Sequence, residues 1–221
     1  MKSYIFTILL IFTCLTAVYA QNNTADKEAY TKMITDRAAK IVANLNISDA
    51  KKTEKVTIIV RDQYSDLNDI YADRDNRVKA IKEKNKDNKV ERDSALAKDA
   101  RTVDAALNKL HKKYIGKLSA QLTNDQVELV KNGMTYNVLP ITYKAYQEEI
   151  LTLTDDQKKQ ILIWLTEARE HAMDAESSDK KHAWFGKYKG RINNYLSAAG
   201  YDLKKEGIEW EKRRKAKAEA N

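Results

Sequence analysis

Glu167, His171 and Asp174 recur at steps of four and three, which lines two carboxylates and an imidazole along one side of a helix, with Glu170 beside them. Such a set has the chemistry of a proton shuttle or a metal-ligand group, because imidazole and carboxylate serve as both bases and ligands. The same stretch carries Arg169, and pairing between residues three or four apart accounts for the charges without any reaction. HExxH, an EF-hand loop, a Gly-rich phosphate loop and a GxSxG elbow are all missing from the sequence. No metal and no cofactor is therefore assigned, and the catalytic residues stay unknown. His111 stands on a lysine-rich helical stretch with no obvious partner. Asp62, Asp66, Asp69 and Asp73 form a carboxylate row suited to calcium or sugar hydroxyls, or to a solvated outer face opposite the apolar residues.

The densest aromatic and cationic stretch is "HAWFGKYKGRINNYL", residues 182–196. Flat rings with flanking Lys, Arg and Asn are what sugar and anion sites use, since a ring stacks on an apolar sugar face while cations and amides bond carboxylates and hydroxyls. The binding candidates are Trp184, Lys187, Tyr188, Lys189, Arg191, Asn193, Asn194 and Tyr195. His182 adjoins them and is a candidate acid–base group, as is the Glu167, His171 and Asp174 face. The alternative is structural: Trp184, Phe185, Tyr195 and Leu196 anchor a core, and Gly186 and Gly190 permit close helix contact.

Helices must position these groups. One proline and six glycines in 221 residues leave little room for a turn-rich β fold. Apolar residues keep three-and-four spacing from Tyr30 to Leu45, again from Val56 to Ile81, and from Leu96 to Leu118. Between the last two runs, "KEKNKDNK" (82–89) reads as the tip of a long helical hairpin. "LTNDQ" (122–126) and "LTDDQ" (153–157) each have the form of a capping box, in which Thr and Gln satisfy free amides of the first turn reciprocally. "ISDAK" (47–51) is a looser version with Ser48 as cap. "MTYNVLP" (134–140) alternates and ends in Pro140, which predicts a short extended segment, followed by a helix from about Thr142 to Leu151. Gly200 should close one helix and Asp202 cap the next, and "EKRRKAKAEAN" reads as a solvated basic helix end. The expected architecture is all-α: a long helical hairpin plus a small helical bundle, forming a single domain over 21–221.

Residues 1–20 have the pattern of a signal peptide: Lys2, an apolar run from Tyr4 to Leu15, and Val18-Tyr19-Ala20 as a small-residue cleavage site. Export to the periplasm or the extracellular space is the expectation, with no transmembrane segment after cleavage near Ala20. Cys14, the only cysteine, falls in that segment, so the mature chain has neither disulfides nor a cysteine nucleophile. Loss of Lys2 leaves 39 basic against 32 acidic side chains, a mature charge of +7. That excess favours an anionic partner. An acidic polysaccharide or oligosaccharide fits export, and nucleic acid does not.

"LTDDQKKQILIWLTEAREHAMDAESSDKKHAWFGKYKGRINNYLSAAGYDL" (153–203), with "GMTYNVLPITYKAYQ" (133–147), resembles an exported family from Bacteroides-like bacteria catalogued as a domain of unknown function. The resemblance implies a single exported domain tied to polysaccharide use, and it carries no catalytic residues across. "LTNDQ" and "LTDDQ" also resemble the LTxxQ signature of Spy-type periplasmic chaperones, which are small and all-helical. The expected function is an accessory or binding protein for acidic polysaccharide. The alternatives are a glycan-active enzyme using His182 or Glu167/His171/Asp174, and a Spy-like chaperone.

Overall fold

The computed structural model describes residues 26–219. The expected signal segment, with Cys14 and the cut after Ala20, lies outside the described residues. Every regular element among them is a helix, in line with the all-α reading. In chain order these are α1 (26–43), α2 (Ala50–Lys84), α3 (Lys89–Ser119), α4 (Asn124–Met134), α5 (Val138–Glu149), α6 (Asp155–Met173), α7 (Ser178–Ala198) and α8 (Leu203–Glu219). Among the described residues no helix is long and apolar enough to cross a membrane. The chain forms two compact units that divide between Asp66 and Leu67, inside α2.

In the first unit the periodic residues Ile34, Ala38, Ile41, Val42 and Leu45 are buried, as are Val56, Val60 and Tyr64 of α2. The Tyr30 hydroxyl donates to the Tyr64 carbonyl at 3.2 Å, and the Arg37 guanidinium lies 5.3 Å over the Tyr64 ring. The α2 cap differs from the expected Ser48. The Asp49 carboxylate accepts from the backbone N–H groups of Lys51 and Lys52 at 2.8 and 3.2 Å. A carboxylate offers both acceptor strength and negative charge to the positive helix end, so it wins the position over a hydroxyl.

In the second unit, residues 85–88 turn the chain from α2 into α3, as "KEKNKDNK" predicts. Asn88 caps α3 by accepting from Glu91 N–H, and Arg77 pairs with the buried Asp99 at 2.5 Å across the hairpin. Both LTxxQ pentapeptides are complete capping boxes: Thr123 with Gln126 starts α4, and Thr154 with Gln157 starts α6. The bundle core joins α5, α6 and α7 through Leu139, Tyr146, Ile150, Ile161, Leu165, Ala168, Phe185, Ile192 and Leu196. Each large apolar side chain fully buried there contributes roughly 1.5–3 kcal/mol.

The extended segment expected at 134–140 is a tight turn instead. Thr135, Tyr136 and Asn137 carry the chain from α4 to α5, with Tyr136 and Asn137 in the left-handed region at φ 58° and 55°. Their backbone closes on α4, since Asn137 N–H donates to the Asn132 carbonyl at 2.8 Å and Thr135 N–H to the same oxygen at 3.1 Å. Pro140 does not break a helix because it falls in the first turn of α5, where amides have no intrahelical acceptor and a proline loses nothing. The following helix therefore begins at Val138, not near Thr142. Gly200 behaves as expected. At φ 95° it closes α7, Gly200 N–H reaching Ser197 O and Tyr201 N–H reaching Leu196 O, the two bonds of a Schellman motif. Asp202 then accepts from Lys205 N–H at the start of α8.

Candidate functional site

α6 and α7 run antiparallel, joined by a short corner at residues 174–177. Ser177 caps α7 by accepting from Lys180 N–H, and the buried Lys181 ammonium donates to the carbonyls of Ala172 and Met173 at 2.9 Å. That cation supplies donors to two carbonyls of the last turn of α6 and suits its negative dipole end. The corner thus fixes how α7 lies on α6.

Four of the eight binding candidates fall along the resulting seam. Trp184 stacks on His171 (4.3 Å between ring centres, 15° between planes), and Tyr188 lies 6.3 Å from the same imidazole. Arg191 lies 4.5 Å over Trp164 and pairs with Glu167 at 3.7 Å, while Tyr195 meets Trp164 edge-on at 5.2 Å. Burial, and then the neighbouring Glu167 carboxylate, push the Tyr188 phenol above its ordinary range. Lys187 stays outside the seam on the exposed side, its ammonium 5.1 Å from the Trp184 ring centre. Lys189 and Asn193 lie around the helix toward α5, where the Tyr146 hydroxyl donates to Asn193 Oδ1 at 2.6 Å. Asn194 is exposed. One helix cannot present all eight to one ligand, because successive residues rotate by about 100°.

Gly186 and Gly190 do not serve the close helix contact expected of them. A Cβ built on either meets nothing within 4 Å, and both are exposed. They do not bring two backbones of this chain together.

The carboxylate–imidazole trio is dispersed. Glu167 serves Arg191, His171 serves Trp184, and Asp174 reaches across to α3, where its Oδ2 lies 2.8 Å from His111 Nδ1. His111 thus has two partners, since Glu170 Oε2 lies 3.3 Å from its Nε2. No local signal announces this pairing, because the partners are about 60 residues away in sequence. Arg169, only 2% exposed, extends the network by donating to Glu128 at 2.6 Å, Asn132 at 2.9 Å and Glu170 at 3.0 Å. Lys131 bridges Glu128 and Glu170. The hydrogen bond to Asp174, then that to Glu170, raises the His111 pKa to about 9 against the opposing effect of burial. Burial works to raise Glu170, but the His111 hydrogen bond and the cations Lys131 and Arg169 outweigh it and bring the carboxyl to about 2. At neutral pH this is an imidazolium locked between two carboxylates, which neither accepts nor readily releases a proton. Among the described residues no group of three or more His, Asp or Glu is arranged to hold a metal ion.

Next to this network a cleft of about 600 Å³ opens within the second unit. Ala100, Val103 and Leu107 of α3 supply apolar wall, and Asp104 and Asn108 of the same helix are exposed. Tyr71 and Arg74 of α2 face them, and His171, Asp174, Glu176, Lys180 and Trp184 come from the α6–α7 corner. The Tyr71 hydroxyl donates to the Asp174 carbonyl at 2.6 Å, its ring lies 4.7 Å under Arg74, and Arg74 pairs with Glu176 at 2.5 Å. Burial, aided by Glu176 and Asp174, pushes the Tyr71 phenol up to about 12, so it remains a donor. Asn108 and Lys180 make no side-chain hydrogen bond or ion pair among the described residues. Sequence reading found Trp184 but missed Tyr71, Arg74, Asp104, Asn108 and Lys180, since three separate helices bring them together. His182 lies outside the cleft, stacked on Tyr136 at 5.5 Å and 11°.

Fold and site define an all-helical protein with an open cleft of mixed aromatic and polar lining. The model of the family described as "Protein of unknown function (DUF3826)" matches residues 31–216, and the chain belongs to that family. No curated protein matches it.

Proposed function

We propose that the protein is a non-catalytic polysaccharide-binding protein whose ligand occupies the cleft between α2, α3 and the α6–α7 corner. The observation that carries this reading is the composition of the cleft. The Trp184 ring, stacked on His171, stands beside an apolar wall and beside exposed polar groups, Asn108, Asp104 and Lys180, that keep their hydrogen-bonding capacity. A pocket that combines a fixed ring with a few polar groups suits a sugar, which has an apolar face and a rim of hydroxyls. Binding is favoured over catalysis because Asp174 is committed to His111 and Glu176 to Arg74, which leaves Asp104, among the described residues, as the one unpaired carboxylate of the cleft lining, where acid–base cleavage of a glycan uses two. The cleft carries Asp104, Asp174 and Glu176 against Arg74 and Lys180, so neutral, hydroxyl-rich stretches of chain suit it better than carboxylate-dense ones. The chaperone alternative loses its motif, because each LTxxQ pentapeptide is accounted for by capping.

The test is affinity electrophoresis of the chain against neutral and acidic polysaccharides, with Asn108→Ala and Lys180→Ala alongside. Both side chains are exposed and unbonded, so neither change should alter the melting temperature. Retardation by a polysaccharide that both variants weaken is the expected result. Retardation unchanged in both, or none with any chain, ends the reading. Release of cleaved product would replace it with an enzyme.

A further inference from the structure

A second groove, of about 470 Å³, lies between the C-terminal end of α5 and the last turns of α8, lined by Glu148, Leu151, Trp210, Arg213, Arg214 and Lys217. The four α8 residues repeat at i, i+3, i+4 and i+7, so they form one stripe over two turns. Arg213 ties the stripe to α5 by donating to the carbonyls of Glu148 and Glu149, both at 2.9 Å. Arg214 lies 5.0 Å over the Trp210 ring.

The charges of α8 are sorted in an informative way. Lys212 and Lys215, outside the groove, are matched by Glu209 at 2.8 Å and Glu211 at 2.9 Å. Arg213 and Arg214 form no ion pair among the described residues, although Glu209 and Glu211 feel their field from one turn back. Glu148, the one acidic residue of the lining, is already paired with Lys144 at 3.5 Å. The groove therefore holds a surplus of guanidinium beside an aromatic ring, whereas the cleft described above is rich in carboxylate.

We infer that this groove binds the carboxylates of an acidic polysaccharide, with Arg214 as the principal contact and Trp210 against the sugar ring. A planar guanidinium matches a carboxylate in two parallel hydrogen bonds, and a Trp in a concave groove takes a sugar face. An anionic membrane fits less well. The exposed apolar residues nearby, Leu151 at 67% and Ile208 at 47%, do not make one insertion face, because Ile208 is two positions from Trp210 and points to the far side of α8. The proposal does not depend on the cleft.

The experiment measures binding of the full chain to polygalacturonate and to its fully methyl-esterified form, which removes the charge and keeps the sugar. Vesicles containing phosphatidylserine and single-stranded DNA serve as comparators. Polygalacturonate should bind, the ester should not, and salt should weaken the complex. Arg214→Gln should reduce affinity about tenfold, the loss of one charge-assisted contact. Trp210→Leu should reduce it as well, while Lys212→Gln, outside the groove and paired with Glu209, should not. Equal binding of the ester, no binding of either, or indifference to Arg214→Gln overturns the inference. Arg214-dependent binding to vesicles or DNA in preference to polygalacturonate overturns it in favour of that partner. Failure of the cleft variants alone would leave this groove standing, so the two readings fail separately.

Discussion

Raising the pH from about 6 to about 10 should remove a measurable part of this protein's stability, through His111 alone. In the folded chain its imidazolium bridges Asp174 at 2.8 Å and Glu170 at 3.3 Å, and its pKa rises from 6.5 to about 9. A raised folded-state pKa means that the folded state holds the proton more tightly. The stabilisation is therefore present in full below the unfolded value of 6.5, declines between 6.5 and 9, and is gone above that. At 1.36 kcal/mol per unit the ceiling is about 3 kcal/mol, and a side chain still 21% exposed is screened by water, so about 2 kcal/mol is the expected effect. Glu170, lowered from 4.5 to about 2, sets the acid limit: its share is present above 4.5 and is lost as pH falls toward 2. The assay is urea unfolding across this range for wild type and His111→Gln, with the imidazole followed by NMR. The variant should be less stable by about 2 kcal/mol near pH 6 and should lose the wild-type slope between 6.5 and 9. An imidazole midpoint near 6.5, or identical slopes in the two proteins, would refute the reasoning.

Gly186→Ala and Gly190→Ala should each stabilise the protein by about 0.5–1 kcal/mol in thermal melts, since both glycines are exposed in mid-helix and a Cβ meets nothing. Loss of stability in either would show that the face is covered in solution. Gly200→Ala should move the melt the other way by about 1 kcal/mol, because φ is 95° there and an L side chain is strained. Phe185→Ala, at 1% exposure, should cost about 3–5 kcal/mol. Lys181→Met should cost about 1–3 kcal/mol by leaving the Met173 carbonyl without its donor, while the Ala172 carbonyl keeps the Ala175 N–H, and faster amide exchange at the start of α7 would locate the damage.

The sequence by itself determined the helices and most of their ends. Three-and-four spacing marked α1 to α3, Thr with Gln three residues on marked the starts of α4 and α6, and Gly200 with Asp202 marked the passage from α7 to α8. These features act within one or two turns, so the residues that carry them are adjacent in the chain. The signal failed where one residue type serves two backbones: Pro140 reads as a break, yet it is harmless in the first turn of α5. Only the tertiary structure decided which chemistry meets. His111 looked alone in sequence and proved to be the centre of a charge network. Glu167, His171 and Asp174 looked like a unit and proved to serve three different partners. Trp184 was legible as a ring among cations, but the groups that share its cleft come from α2 and α3, and the basic end of α8 acquired Leu151 as a neighbour from the chain just past α5. The reason is geometric: a helix sets which residues share its face, and only its packing against other helices sets what that face confronts.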